Sequence, residues 1–290
     1  MSSEIGIWLV TTDHLEDGLW FLEESDFKVG MNYVAAIASG SRATIPAFIL
    51  MSNHVHFVIK GTEKDAEAFI NEFKRRYSKY LMKRYGISKH LKNNGVDIKI
   101  IPYSDEAPER VVAYVHMNCV AANICSHPAQ YPWGSGNCLF NPSAPRGRRF
   151  DSMSERECRR ILHSKAAIPG QWLLCDEGYI LPQSYVDVKF SESIFRTPKR
   201  MDYFYRNSSK ARLRINSDES IPSFKDQTVL NALPELCRAL FHVMSFQELS
   251  DAKKTEILRQ LRYRFSSNVH QLARITGLSY DQTAALLDTH

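Results

Sequence analysis

Phe48-Ile49-Leu50-Met51-Ser52-Asn53-His54-Val55-His56-Phe57-Val58-Ile59-Lys60-Gly61 is the stretch whose reading decides the fold. A hydrophobic run, a short polar break and a second apolar run predict two strands joined at Ser52-Asn53 as a β-hairpin. Side chains of a strand alternate between its faces. His54 and His56 therefore project from one face, and Val55 and Phe57 from the other. Two imidazoles converging from one rigid strand make half of a metal site. The same pattern also describes two hydrogen-bonded sheet histidines, and the spacing alone does not separate the readings.

At 290 residues the chain has room for one large domain or two ordinary ones. A hydrophobic content of 44% against 24% charged residues belongs to a folded globular chain and excludes the disordered class. The net charge of +5 suits a polyanionic partner without demanding one. No two of the six cysteines form a Cys-x-x-Cys, which argues against a zinc ribbon and predicts thiols in a reducing compartment. No apolar run approaches the ~18 residues that span a bilayer, and Met1-Ser2-Ser3-Glu4 lacks the charged start of a signal peptide. The expectation is a cytosolic protein with no membrane partner.

Working outward from the hairpin, Ile5 to Val10 has the composition of a first strand, and residues 26–39 place Phe27, Tyr33, Val34 and Ile37 at helical spacing. After the hairpin, Lys64 to Tyr85 reads as a long amphipathic helix with Ala66, Phe69, Ile70, Phe73, Tyr77, Tyr80 and Leu81 on one stripe. Its other faces carry Lys74, Arg75, Arg76, Lys79, Lys83 and Arg84 with no acidic residue among them. Such a face is either a solvated helix surface or a track for a phosphate backbone, with Tyr77, Tyr80 and Tyr85 as stacking surfaces in the second case.

Val96 to Ile101 alternates as a strand, and Pro108 opens a helix running to Asn123. On that helix Val111, Val115 and Ala122 define an apolar arc, and Tyr114 and Asn118 lie one turn apart on its edge. Tyr114 is there either a packing tyrosine or a group bordering a cleft. The Pro/Gly/Arg-rich stretch 141–149 reads as an exposed linker. The organisation expected is therefore 1–140 as the first domain, 141–225 as linker and unassigned middle, and 226–290 as a helical region. Within the last, Ala273, Gly277, Leu278 and Leu286 have the spacing of a helix-turn-helix, with Ser279 capping its second helix and Thr283 where a larger apolar residue is usual. Structural helical pairs share that spacing.

Three blocks, Met51 to Val58, Tyr114-Val115-His116-Met117-Asn118 and Tyr131-Pro132-Trp133-Gly134-Ser135, in this order resemble the REP-associated tyrosine transposases of the IS200-like, single-tyrosine HUH superfamily. The likeness covers roughly residues 1–140. It implies an α+β fold, an antiparallel sheet with packed helices of the ferredoxin-like HUH nuclease type, followed here by the C-terminal helical region. It also implies that His54 and His56 are metal ligands, that Asn118 is the third ligand, and that Tyr114 is the nucleophile. Imidazoles with an amide oxygen suit Mn²⁺ or Mg²⁺.

The activity implied is nicking and joining of single-stranded or hairpin DNA through a 5′-phosphotyrosine, in a bacterial, nucleoid-associated cytoplasmic setting. A homodimer, and whether Tyr114 serves its own histidines or a partner's, are left open. Two departures stand out: Cys119 occupies a position where many relatives have proline, and Gly134 one where a second serine is common. The alternatives are a domesticated DNA-binding protein that does not cleave, and a relaxase or replication initiator with the same chemistry.

Overall fold

The computed structural model describes residues 4–12, 19–87, 91, 95–163, 166–208, 226–265, 267 and 269–288. Asp13 to Gly18, polar and turn-like in composition, and most of the basic connection 86–94 lie outside them. Four strands form an antiparallel sheet in the order β2-β3-β1-β4, with β1 Gly6–Thr12, β2 Thr44–Met51, β3 His54–Gly61 and β4 Val96–Ile101. Two long helices, α1 Glu24–Ala38 and α2 Glu63–Tyr85, complete a β-α-β-β-α-β sequence of the ferredoxin-like kind. The expected α+β class, with helices packed on an antiparallel sheet, is what the chain adopts.

Register follows from burial of one apolar row. β3 sets Val58 opposite Leu9, Phe57 opposite Val10 and His56 opposite Thr11, and β2 sets Phe48 opposite Phe57. Phe57 meets Phe69 and Phe73 of α2 at ring distances of 5.2 and 5.6 Å. Ala66, Phe69, Ile70, Phe73, Tyr77 and Leu81 are the buried stripe of α2, as its periodicity predicts. Thr62 caps that helix reciprocally with Asp65, and Gly86 ends it at φ 71°. His54 and His56 are thereby left on the opposite sheet face.

That second face is covered by α3 Ala107–His116, with α6 Val188–Phe195 and α7 Pro198–Arg206 beside it. The helix expected over 108–123 is interrupted at Met117 and resumes as α4 Asn118–Ala121. The Asn118 amide donates to the carbonyls of Tyr114 and Val115 at 2.9 and 3.2 Å, side-chain bonds that compete with the helix ladder at the break.

The middle region corrects the sequence reading. Residues 141–149 are exposed, as a linker would be, but Phe150, Leu162, Ile180, Val186, Phe195 and Phe204 belong to the same core as the sheet. α5 Glu155–Leu162 starts at the expected Ser154 cap. Asn32, buried in α1, stitches this region down: its amide donates to the carbonyls of Ile161 and Gly178 at 3.3 and 3.1 Å and accepts from the Ile180 N–H at 2.9 Å.

The C-terminal helices α8 Asp226–Phe241, α9 Asp251–Phe265, α10 Val269–Thr276 and α11 Tyr280–Asp288 form a second core. Leu19 and Leu22 belong to that core and join it to the sheet domain. α9 begins at Asp251 after a short 3₁₀ turn at Phe246–Glu248. α10 and α11 are the expected helical pair: Gly277 turns at φ 72°, and Ser279 and Gln282 cap each other at 3.0 and 3.1 Å. Thr283 is fully buried and donates to the Ser279 carbonyl at 2.9 Å. Among the described residues no helix is long and apolar enough to cross a membrane.

Replacing Asn32 with Ala removes both donated bonds and the acceptor of the buried Ile180 N–H. We expect a stability loss of about 2–3 kcal/mol, read from the urea midpoint. A loss under about 0.5 kcal/mol would contradict the stitching role.

Candidate active site

The turn that delivers His54 is buried rather than solvated, and it is pinned from several sides. The Ser52 carbonyl accepts from the N–H groups of Trp20 and Phe21 at 2.7 and 3.1 Å, and the Ser52 hydroxyl donates to the carbonyl of Arg264 in α9. Thr12 Oγ1 accepts the Val55 N–H at 3.0 Å. With backbone contacts on both sides of it, the start of β3 has little freedom to shift.

The two imidazoles stand nearly perpendicular, with centroids 4.8 Å apart. His54 Nδ1 lies 2.7 Å from Asn53 Oδ1. An amide oxygen only accepts, so Nδ1 carries the proton and the lone pair sits on Nε2. His56 Nδ1 lies 2.9 Å from Thr11 Oγ1, contributed by the residue paired with it across the sheet. Contacts of this kind on the second ring nitrogen are what fix an imidazole that ligates through Nε2. Asn53 Nδ2 is a buried donor with no hydrogen-bond partner among the described residues.

α3 brings Tyr114 onto the same face. Its ring meets His56 edge-on at 5.6 Å. Tyr114 is half-buried: desolvation raises its pKa, and the positive charge of Lys99 on β4 draws it down. Lys99 is itself tethered to Asp97 at 2.5 Å. Thr11 pairs with both His56 and Asp97, so Asp97 lies in the cross-strand row that holds the histidine. Asn118 follows Tyr114 by one turn. With its amide nitrogen committed to the two helix carbonyls, Oδ1 is the atom it has to offer a ligand.

Two adjacent imidazoles, the lone pair of His54 turned to Nε2, together with an amide oxygen such as that of Asn118, would suit a hard or borderline divalent cation such as Mg²⁺ or Mn²⁺. Among the described residues no cluster of three or more His, Cys, Asp or Glu side chains is placed to hold a metal.

His116, two residues from Tyr114, faces elsewhere. It is buried between Tyr205 and Ser135, 2.8 Å from each. Burial pushes its pKa down to about 3, so it is a neutral structural histidine. Ser135 in turn bonds the backbone of Phe48 through both its N–H and its hydroxyl. The Tyr131–Ser135 block is thus a clamp on the edge of β2. Tyr131 donates to the Leu50 carbonyl at 2.8 Å. Gly134 packs so closely that a Cβ there would lie 2.9 Å from the Phe48 oxygen. This close approach accounts for glycine where a serine was expected.

Residues 22–117 match the family described as "Transposase IS200 like". Over that segment, about a third of its length, the chain is similar to the IS200-like transposases. The matched segment contains His54, His56 and Tyr114 and ends one residue before Asn118. A solved structure titled "Structure of the REP associates tyrosine transposase bound to a REP hairpin" is similar at 15% identity and a TM-score of 0.38, over 47% of this chain and 81% of that one. No curated protein matches the chain.

The cations of α2 lie apart from His54, His56 and Tyr114, on the helix that covers the opposite sheet face. Their neutralisation also differs from the expectation. Arg75 and Arg76 both grip Glu72, at 2.6 and 2.7 Å, and Arg84 pairs with Glu23 and approaches Asp26. Tyr80 and Tyr85 donate to Asp26 and Glu23 instead of offering stacking faces. Arg75, Arg76 and Arg84 are thus α2 cations drawn into ion pairs with carboxylates. In the helix-turn-helix pair, the exposed residues of α11 include Tyr280, Asp281, Gln282 and Ala285, and that helix holds no lysine or arginine.

Sequence reasoning missed Thr11, Asn53, Asp97 and Lys99. Only Asn53, adjacent to His54, gave a local signal. Glu72 could have been found from its spacing to two arginines.

The Glu72 carboxyl is held down at about 2, against an ordinary 4.5, first by its bond to Arg75. A depressed carboxylate contributes stability above pH 4.5 and loses it as pH falls toward 2. For an exposed, salt-screened pair that contribution stays under about 1 kcal/mol. Carbon-detected NMR titration of Arg75→Ala should show the Glu72 midpoint moving back toward 4.5; an unmoved midpoint would contradict the pairing.

Proposed function

We propose that this chain nicks and rejoins single-stranded DNA, on hairpin-forming sequences, as a metal-dependent transposase of the REP-associated tyrosine type. One observation carries the reading: Tyr114 stands edge-on to His56, and His56 beside His54, within one chain. That arrangement supports a tyrosine serving its own histidines, so a homodimer is not required to assemble these three side chains. The match of residues 22–117 to the IS200-like transposases supports the class of reaction.

In this reading the Tyr114 oxygen attacks the scissile phosphorus. The bond to the 3′-side oxygen breaks, and that oxygen leaves as a 3′-hydroxyl while the 5′-phosphate stays on the tyrosine. One phosphodiester replaces another, so a second 3′-hydroxyl can reverse the step without a nucleoside triphosphate. His54, His56 and Asn118 would hold a divalent cation, which when bound polarises the phosphate and offsets charge on its oxygens. Lys99 adds positive charge beside Tyr114. The buried N–H of Asn53 is a donor suited to a phosphate oxygen or a bound water.

A labelled single-stranded hairpin with Mn²⁺ tests the reading. The wild type should form a covalent protein–DNA adduct that survives SDS, and Tyr114→Phe should form none. Hairpin binding without an adduct in either protein would instead favour the domesticated, non-cleaving alternative. Thr11→Val should weaken Mn²⁺ binding by roughly 10- to 100-fold by removing the partner of His56 Nδ1. Calorimetric titration showing unchanged affinity would contradict the claim that Thr11 orients His56 for the metal.

A further inference from the structure

Three elements meet at His116, and the protons in that contact can be placed. Ser135 Oγ donates to the Phe48 carbonyl at 3.2 Å and accepts the Phe48 N–H at 2.9 Å. Its remaining lone pair takes a proton from His116 Nε2, at 2.8 Å. A neutral imidazole protonated on Nε2 is an acceptor at Nδ1, so the Tyr205 hydroxyl donates to it at 2.8 Å. The chain Tyr205–His116–Ser135–Phe48 therefore runs in one direction from α7, through the last residue of the nucleophile helix, to the strand beside β3. His116 is 1% exposed and Tyr205 2% exposed, so water does not compete for these bonds.

The other end of α3 is tied to the same element. Arg200 of α7 bonds Glu106 and Glu109 at 2.8 and 2.9 Å. Glu106 precedes the first residue of α3, and the chain enters the helix through two successive non-glycine residues in the left-handed region, Asp105 at φ 54° and Glu106 at φ 58°. A backbone held there needs surrounding contacts to keep it. α7 thus grips α3 before Tyr114 with an ion pair and after it with a hydrogen-bonded imidazole. Both grips come from residues 198–206, outside the segment that matches the transposase family.

We propose that Tyr205 and Arg200 are positioning residues for the reaction, fixing through His116 and Glu106 the place of Tyr114 against the histidine strand. This rests on Tyr114 being the nucleophile. Alignment of a nucleophile matters more to the rate than to binding, because a displaced attacking oxygen still allows the DNA to dock.

The test uses the full-length protein with a labelled hairpin oligonucleotide and Mn²⁺, comparing wild type, Tyr205→Phe, Arg200→Gln and Tyr203→Phe, the last an exposed position on the same helix. Tyr205→Phe keeps the ring and removes only the hydroxyl. The rate of adduct formation at saturating oligonucleotide should fall about tenfold or more in Tyr205→Phe and Arg200→Gln, with the half-saturating concentration within about twofold of wild type. Amide hydrogen exchange should quicken across residues 107–116 and not across α2. Tyr203→Phe should behave as wild type.

Unchanged rate and unchanged exchange in both variants would overturn the proposal. So would faster exchange at an unchanged rate, or a rate loss explained wholly by weaker oligonucleotide binding. A wild type that forms no adduct would overturn the nucleophile reading itself, and the positioning claim with it, before any variant is compared.

Discussion

The pairing of β3 with β1 is the constraint on which the rest depends. Side chains alternate with a period of two, so a slip of one residue would turn His54 and His56 into the layer beneath α2 and send Phe57 to the other face. Phe57 packed between Phe69 and Phe73 makes that slip expensive. The apolar side of the strand thus sets where its polar side points. The correct register also delivers Thr11 to His56 at hydrogen-bond distance. Core packing and preparation of the site are therefore one choice of register, made once.

Tyr114, the proposed nucleophile, comes from a separate element and needs its own anchoring. α3 lies over the histidine face, and its apolar residues Val111, Val112 and Val115 are buried against the sheet. Tyr114, half-buried, stands at the boundary of that contact. The motif Tyr114-Val115-His116-Met117-Asn118 reads in this light as a division of labour on one helical turn and a half. Tyr114 and Asn118 carry the proposed chemistry, while His116 is spent on structure between Tyr205 and Ser135. The Tyr131–Ser135 block, which looked like a loop closing a domain, is the other half of that structure.

What could be read from the sequence follows the range of the interactions. The sheet, the α2 stripe and the bounds of β4 came from periodicity, which is local. The pairing of the two histidines came from strand alternation, and Ser154 and Ser279 were recognisable as caps because their partners lie three residues on. The segment 150–206 looked uninformative because what fixes it is long-range. Asn32 reaches across 129 to 148 positions in the chain to hold it, and Ser191 bonds Pro46 at 2.8 Å. The pairing of Arg84 on α2 was hidden for a related reason. The carboxylates Glu23 and Asp26 that take up Arg84 arrive from α1 and leave no mark on the helix that carries the charge.

The account stands most directly on where a metal ion binds relative to Tyr114. A crystal structure of the full chain with Mn²⁺ and a short single-stranded oligonucleotide, with the manganese located by anomalous scattering, measures this. The account predicts one ion coordinated by Nε2 of His54 and of His56 with the Asn118 oxygen, and the Tyr114 hydroxyl in line with a phosphate bound to that ion. An ion held elsewhere, or a phosphate that Tyr114 cannot reach, would contradict it.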